Sequence, residues 1–107
     1  MPEPTPTTVA LRALIHERRN DFQTLLNRYH ATNPRYFGSI ARGTAHPNSD
    51  IDILVDMHPD DGNLLMRAGG LMHDTRELYG RDDIDILPIQ LLKPAIAAAA
   101  LTDATPL

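Results

Sequence analysis

Gly38-Ser39-Ile40-Ala41-Arg42-Gly43-Thr44-Ala45-His46-Pro47-Asn48-Ser49-Asp50-Ile51-Asp52-Ile53-Leu54-Val55-Asp56 is the stretch on which the reading of this chain turns. It opens on a Gly-Ser pair after the apolar Tyr36-Phe37 and closes on alternating acidic and apolar residues. In an extended strand, residues two apart share a face. Asp50 and Asp52 therefore project together, while Ile51 and Ile53 turn toward a core. Neighbouring carboxylates repel each other unless a cation lies between them. Mg²⁺ is a hard cation that takes one or two carboxylates together with phosphate oxygens and water. The pair points to Mg²⁺ held for phosphate chemistry.

The glycines supply the other half of such a site. Gly38 lets the backbone turn sharply and lets a ligand come close. If Ser39 to Arg42 begin a helical turn, their free N–H groups form an anion site, and the Ser39 hydroxyl adds a donor. Taken singly, neither feature says much. An Asp-x-Asp pair is common on solvated strand faces, and Gly-Ser is an ordinary turn. Their order and spacing are more informative. Gly38 to Gly43 has the glycine spacing of a P-loop, but Thr44 follows where lysine is required, and Pro47 interrupts any long helix. An EF-hand is excluded because Ile53 and Leu54 fall where further oxygen ligands and a glycine are needed. Haloacid-dehalogenase phosphatases end an apolar strand with their acids, whereas Asp50 and Asp52 begin one.

Composition narrows the remaining classes. A chain of 107 residues with 42% hydrophobic and 22% charged residues suits one folded domain with a modest core. A net charge of −4 argues against general nucleic-acid binding, and no direct DNA contact is expected. The absence of cysteine excludes disulfides and thiolate zinc sites. No apolar run approaches the roughly 20 residues of a membrane helix, and no signal-peptide core is visible. A cytoplasmic protein is expected.

Read in order, Met1 to Thr7 is a proline-rich, frayed N-terminal tail, and residues 8–101 form the domain. Thr7 or Thr8 caps a helix running from Val9 to about Tyr29. Leu11, Leu14, Ile15, Phe22, Leu25, Leu26 and Tyr29 form its apolar face. Arg12 falls on the opposite, polar face. Asn33-Pro34 ends that region, and Arg35 to Phe37 form a first strand. The second strand runs from Asp50 to Met57. His58 to Gly62 form a turn. A helix follows to Tyr79, weakened by Gly69-Gly70, which delay its start or kink it, and capped by Gly80. Asp83 to Leu87 form a third strand. Asp85, between two isoleucines as Asp52 is, is the candidate third carboxylate, with Asp83 as its rival. Pro94 opens an alanine-rich helix that packs or faces a partner, and 102–107 form a loose C-terminal tail. This is an α/β (α+β) domain.

Gly38-Ser39, Arg42-Gly43 and Ser49-Asp50-Ile51-Asp52-Ile53-Leu54-Val55 resemble the signature of the polymerase-beta-like nucleotidyltransferase superfamily. The short chain resembles its minimal nucleotidyltransferase (MNT) branch, which includes antitoxins paired with HEPN-domain toxins. The resemblance is closest over Arg35 to Val55. It implies a small mixed β-sheet flanked by helices and a third carboxylate on a later strand. It further implies two Mg²⁺ ions on Asp50, Asp52 and Asp85, and phosphates held by Gly38 and Ser39. Arg42 either offsets phosphate charge or supports the loop. The implied reaction moves AMP from ATP to a tyrosine of a HEPN toxin and neutralises it. Two other readings stay open. One is a non-catalytic antitoxin that acts by binding. The other is transfer to a small molecule, although related aminoglycoside-modifying enzymes usually carry an extra domain.

Overall fold

A computed structural model describes residues 3–107 of the chain. Met1 and Pro2, the start of the expected tail, lie outside the described residues. The elements follow as α1 (Pro6–Glu17), α2 (Arg19–Arg28), β1 (Ala31–Phe37), the single turn α3 (Ser39–Arg42), β2 (Ile51–Met57), α4 (Leu64–Tyr79), β3 (Ile84–Pro88), α5 (Pro94–Asp103) and β4 (Thr105–Pro106). The four strands form one mixed sheet in the order β3-β2-β1-β4. β1 runs antiparallel to both β2 and β4, and β2 runs parallel to β3.

The strand alternation read from β2 decides the layering. Ile51, Ile53, Val55 and Met57 are fully buried, as is Ile84 of β3. They join Ile15, Phe22, Leu26 and Leu71 of the helices in one core. Fully burying each such side chain contributes about 1.5–3 kcal/mol, so this face fixes the register of the sheet. A one-residue slip would turn the isoleucines out and the aspartates in. The opposite face carries Asp52 and Asp85, and it is there that the candidate site forms.

Several boundaries differ from those expected. The expected Val9–Tyr29 helix is two helices, broken at Arg18, which has φ −117° and ψ 30°. No apolar residue lies between Ile15 and Phe22, so no packing holds the helix straight there. Thr5, not Thr7 or Thr8, caps α1, with Pro6 in its first turn, so the helix begins inside the segment read as a tail. β1 starts at Ala31 rather than Arg35. Its pairing with β2 is irregular between Thr32 and Arg35, where Asn33 takes φ 54° and Pro34 has no N–H to give a ladder.

α4 does not start late and runs unbroken through Gly69-Gly70, from Leu64 to Tyr79. The Asn63 side chain caps its start by accepting from Met66 N at 3.0 Å, and Gly80 ends it in the left-handed region. A Cβ on Gly70 would lie 2.5 Å from the Tyr29 ring, so this glycine lets α2 and α4 approach; one on Gly69 would meet nothing within 4 Å. The segment after Leu101, expected to be loose, completes α5 and adds β4, with Tyr36 opposite Thr105. α5 itself contributes no buried residue. None of the helices is long and apolar enough to cross a membrane among the described residues.

Candidate active site

The site is assembled where β1 ends beside the start of β2. Phe37 pairs with Asp52 across the antiparallel ladder, which places Gly38 against the Asp52 side chain. Gly38 has φ 70° and ψ −150°, a conformation that only glycine adopts readily. A Cβ at Gly38 would also come within 2.8 Å of Asp52 Oδ2. Both constraints make any other residue here costly. Half-buried Ser39 follows in α3, and Gly43 closes that turn in the left-handed region with φ 81°.

The parallel pairing of β2 with β3 brings in the next acid. Asp52 and Asp85 are register partners, so their side chains leave the same face of the sheet side by side. Asp50 lies just before β2 and is exposed. Asp52 is the group most affected by this gathering. Burial, then the negative charges of Asp85 and Asp50, push its carboxyl up to about 6, against a weaker opposing pull from Arg42. Asp83 is occupied elsewhere. Arg81 grips it from Nε at 2.8 Å and from Nη2 at 2.7 Å and holds its carboxyl below the usual range.

Two arginines complete the surroundings. Arg42 pairs with Asp103 of α5 at 3.3 Å, which ties the loop to the C-terminal helix. Arg76 of α4 donates to Ile84 O at 2.8 Å and to Asp85 Oδ1 at 2.9 Å. With this pairing in place, no three acidic or histidine side chains converge tightly enough to ligate an ion as they stand, among the described residues. The donor chemistry nevertheless fits a divalent cation. Asp52 and Asp85 share one face of the sheet, burial and then the charges of Asp85 and Asp50 make Asp52 resist ionising, and Gly38 leaves beside it the space that a Cβ would fill.

Arg12 and Arg76 were not singled out by sequence reasoning. Arg12 sits on the polar side of an amphipathic pattern, and Arg76 is one of several helix arginines. Only the fold brings them beside Ile40 and Asp85. His46, a loop residue in the sequence, shapes its own turn: its Nδ1 accepts from Asn48 N at 3.2 Å.

Comparison with known proteins identifies the class. The nucleotidyltransferase domain family matches residues 23–104. A solved structure described as "Structure of putative minimal nucleotidyltransferase" superposes with a TM-score of 0.72 at 34% identity, covering 94% of this chain and 95% of that one. Among curated proteins none matches. The fold is thus a mixed sheet flanked by helices of the minimal nucleotidyltransferase kind. The chain belongs to the nucleotidyltransferase domain family, whose substrate class is a nucleoside triphosphate.

Proposed function

We propose that this chain is a Mg²⁺-dependent protein adenylyltransferase of the antitoxin type, acting in the cytoplasm. It would transfer AMP from ATP to a tyrosine of a HEPN-domain toxin and so neutralise it. The observation that carries the reading is the parallel register of Asp52 with Asp85, directly beside the glycine turn that Asp52 touches.

Asp50, Asp52 and Asp85 are the residues that would hold Mg²⁺. When bound, the metal offsets triphosphate charge and lines up attacking and leaving oxygens. Gly38 brings the backbone close to the β- and γ-phosphates, and the Ser39 hydroxyl donates to them. Arg42 already lies near enough to pull on Asp52 and lends positive charge at the same end of the sheet. Asp85 accepts the proton of the acceptor hydroxyl. The acceptor oxygen then forms a bond to the α-phosphorus, the bond from that phosphorus to the bridging oxygen breaks, and pyrophosphate leaves. Positioning and charge stabilisation carry the rate.

The test is to incubate the protein with ATP, Mg²⁺ and the product of the adjacent gene, then weigh that product. Gain of one or more adenylate masses with wild type and none with Asp52→Asn supports the reading. A stable inhibited complex without any mass gain replaces it with neutralisation by binding alone.

A further inference from the structure

α1 precedes residue 23, where the family match begins, yet its polar contacts gather on the loop after β1. The Arg12 guanidinium donates to Ile40 O from Nε at 3.1 Å and from Nη2 at 2.6 Å, and to Ala41 O from Nη2 at 3.1 Å. Thr5 N donates to Gly43 O at 2.9 Å. Pro4 lies directly under Gly43, its Cα 3.3 Å from where a Cβ would stand. Ala45 is held on both sides. Its N–H donates to the hydroxyl of fully buried Thr8 at 3.0 Å, and its carbonyl accepts from the Thr5 hydroxyl. Since the Thr5 proton is committed to Ala45, the Thr8 hydroxyl must donate to Thr5 across their 2.7 Å contact. The three residues close a ring of hydrogen bonds.

A one-turn helix cannot satisfy its own last carbonyls, and buried backbone acceptors need partners. Arg12 supplies two of those partners at once. Lysine would not do the same, because it lacks the planar fork that reaches successive carbonyls. The Tyr36 ring lies 6.0 Å beneath the guanidinium carbon and limits where it can move.

We propose that Arg12 is a positioning residue of the nucleotide site. It fixes the carbonyls of Ile40 and Ala41, and with them the direction in which Gly38 and Ser39 face the triphosphate, without touching the nucleotide. The proposal builds on the reading of Gly38 and Ser39 as phosphate ligands.

The experiment compares the full chain with Arg12→Ala, Arg12→Lys and Leu14→Ala. Leu14→Ala trims α1 at a partly buried core contact that makes no hydrogen bond to the loop. Amide hydrogen exchange over residues 40–45 is read without nucleotide, and the Mg-ATP dissociation constant by calorimetry. Arg12→Ala is expected to speed exchange at Gly43 and Thr44 and to weaken Mg-ATP binding, each by about tenfold, since small misplacements of binding groups are costly. Arg12→Lys falls between it and wild type. Leu14→Ala stays within about twofold of wild type on both readouts despite its lower melting temperature. Equal behaviour of the Arg12 variants and Leu14→Ala overturns the proposal. If Arg12→Ala does not fold, Arg12→Lys against Leu14→Ala decides in the same way. Wild type that fails to bind Mg-ATP defeats the nucleotide reading itself, whereas unchanged loop exchange in the Arg12 variants defeats this inference alone.

Discussion

Replacing Asp52 by asparagine should stabilise the metal-free protein while destroying transfer. Burial and the charges of Asp85 and Asp50 raise the Asp52 carboxyl from the ordinary 3.8 to about 6. The folded-state pKa therefore lies above the unfolded one. The contribution of this group to stability is fully present below about pH 4 and is lost as pH rises through about 6. Above that range the ionised carboxylate favours the unfolded chain. At 1.36 kcal/mol per pH unit the rise corresponds to about 3 kcal/mol. Partial contact with solvent screens the charges and reduces this to about 1–2 kcal/mol. Asparagine keeps the shape and never ionises.

The assay is thermal unfolding in chelator from pH 4 to 8, wild type beside Asp52→Asn. The two should melt together near pH 4. The lead of the variant should grow from about pH 4 to 6 and level off above that, at about 4–8 °C for a domain of this size. Other carboxylates titrate in both proteins and cancel in the difference. Adding Mg²⁺ with ATP should raise the wild-type melting point and leave the variant unchanged. A lead that is constant across pH, or a variant less stable at pH 7.5, would refute the electrostatic account of the site.

Three further outcomes are expected. Gly38→Ala forces a side chain into a left-handed backbone and into Asp52 Oδ2; unfolding in urea should reveal a loss of about 1–3 kcal/mol, and calorimetry a loss of Mg-ATP binding. Asp85→Asn should lower transfer by at least about 100-fold, whereas Asp83→Asn, which only releases Arg81, should stay within about threefold when both are assayed at equal folded concentration. Gly69→Ala should raise stability by about 0.5–1 kcal/mol, while Gly70→Ala, which meets the Tyr29 ring at 2.5 Å, should lower it; the opposite ranking in urea unfolding would contradict the packing of α2 on α4.

What could be read from the sequence was what repeats at short range. The alternation of Asp50, Ile51, Asp52 and Ile53 encodes a strand and its two faces locally, as does the echo at Ile84-Asp85-Ile86, so the core face and the acidic face were both legible. The break at Arg18 was not, because an apolar spacing of seven residues from Ile15 to Phe22 suits a continuous helix and a bent one equally. β4 was invisible for a different reason: two residues carry no periodic signal, and their pairing with Arg35 and Tyr36 is set wholly by where α5 delivers the chain. The same division runs through the site. Gly38 and Asp52 carry their reason in their own residue types, one for backbone freedom and one for charge. Arg12 and Arg76 do not, because an arginine on a helix has the same sequence appearance whether it meets water or a carbonyl. Acid-to-acid spacing locates the centre of the candidate site, but the groups that hold its loop and Asp85 in place come from helices whose approach is decided by the core on the other face of the sheet. A substitution there, such as one that lets α1 tilt, should act on the site without altering any residue the sequence motif contains.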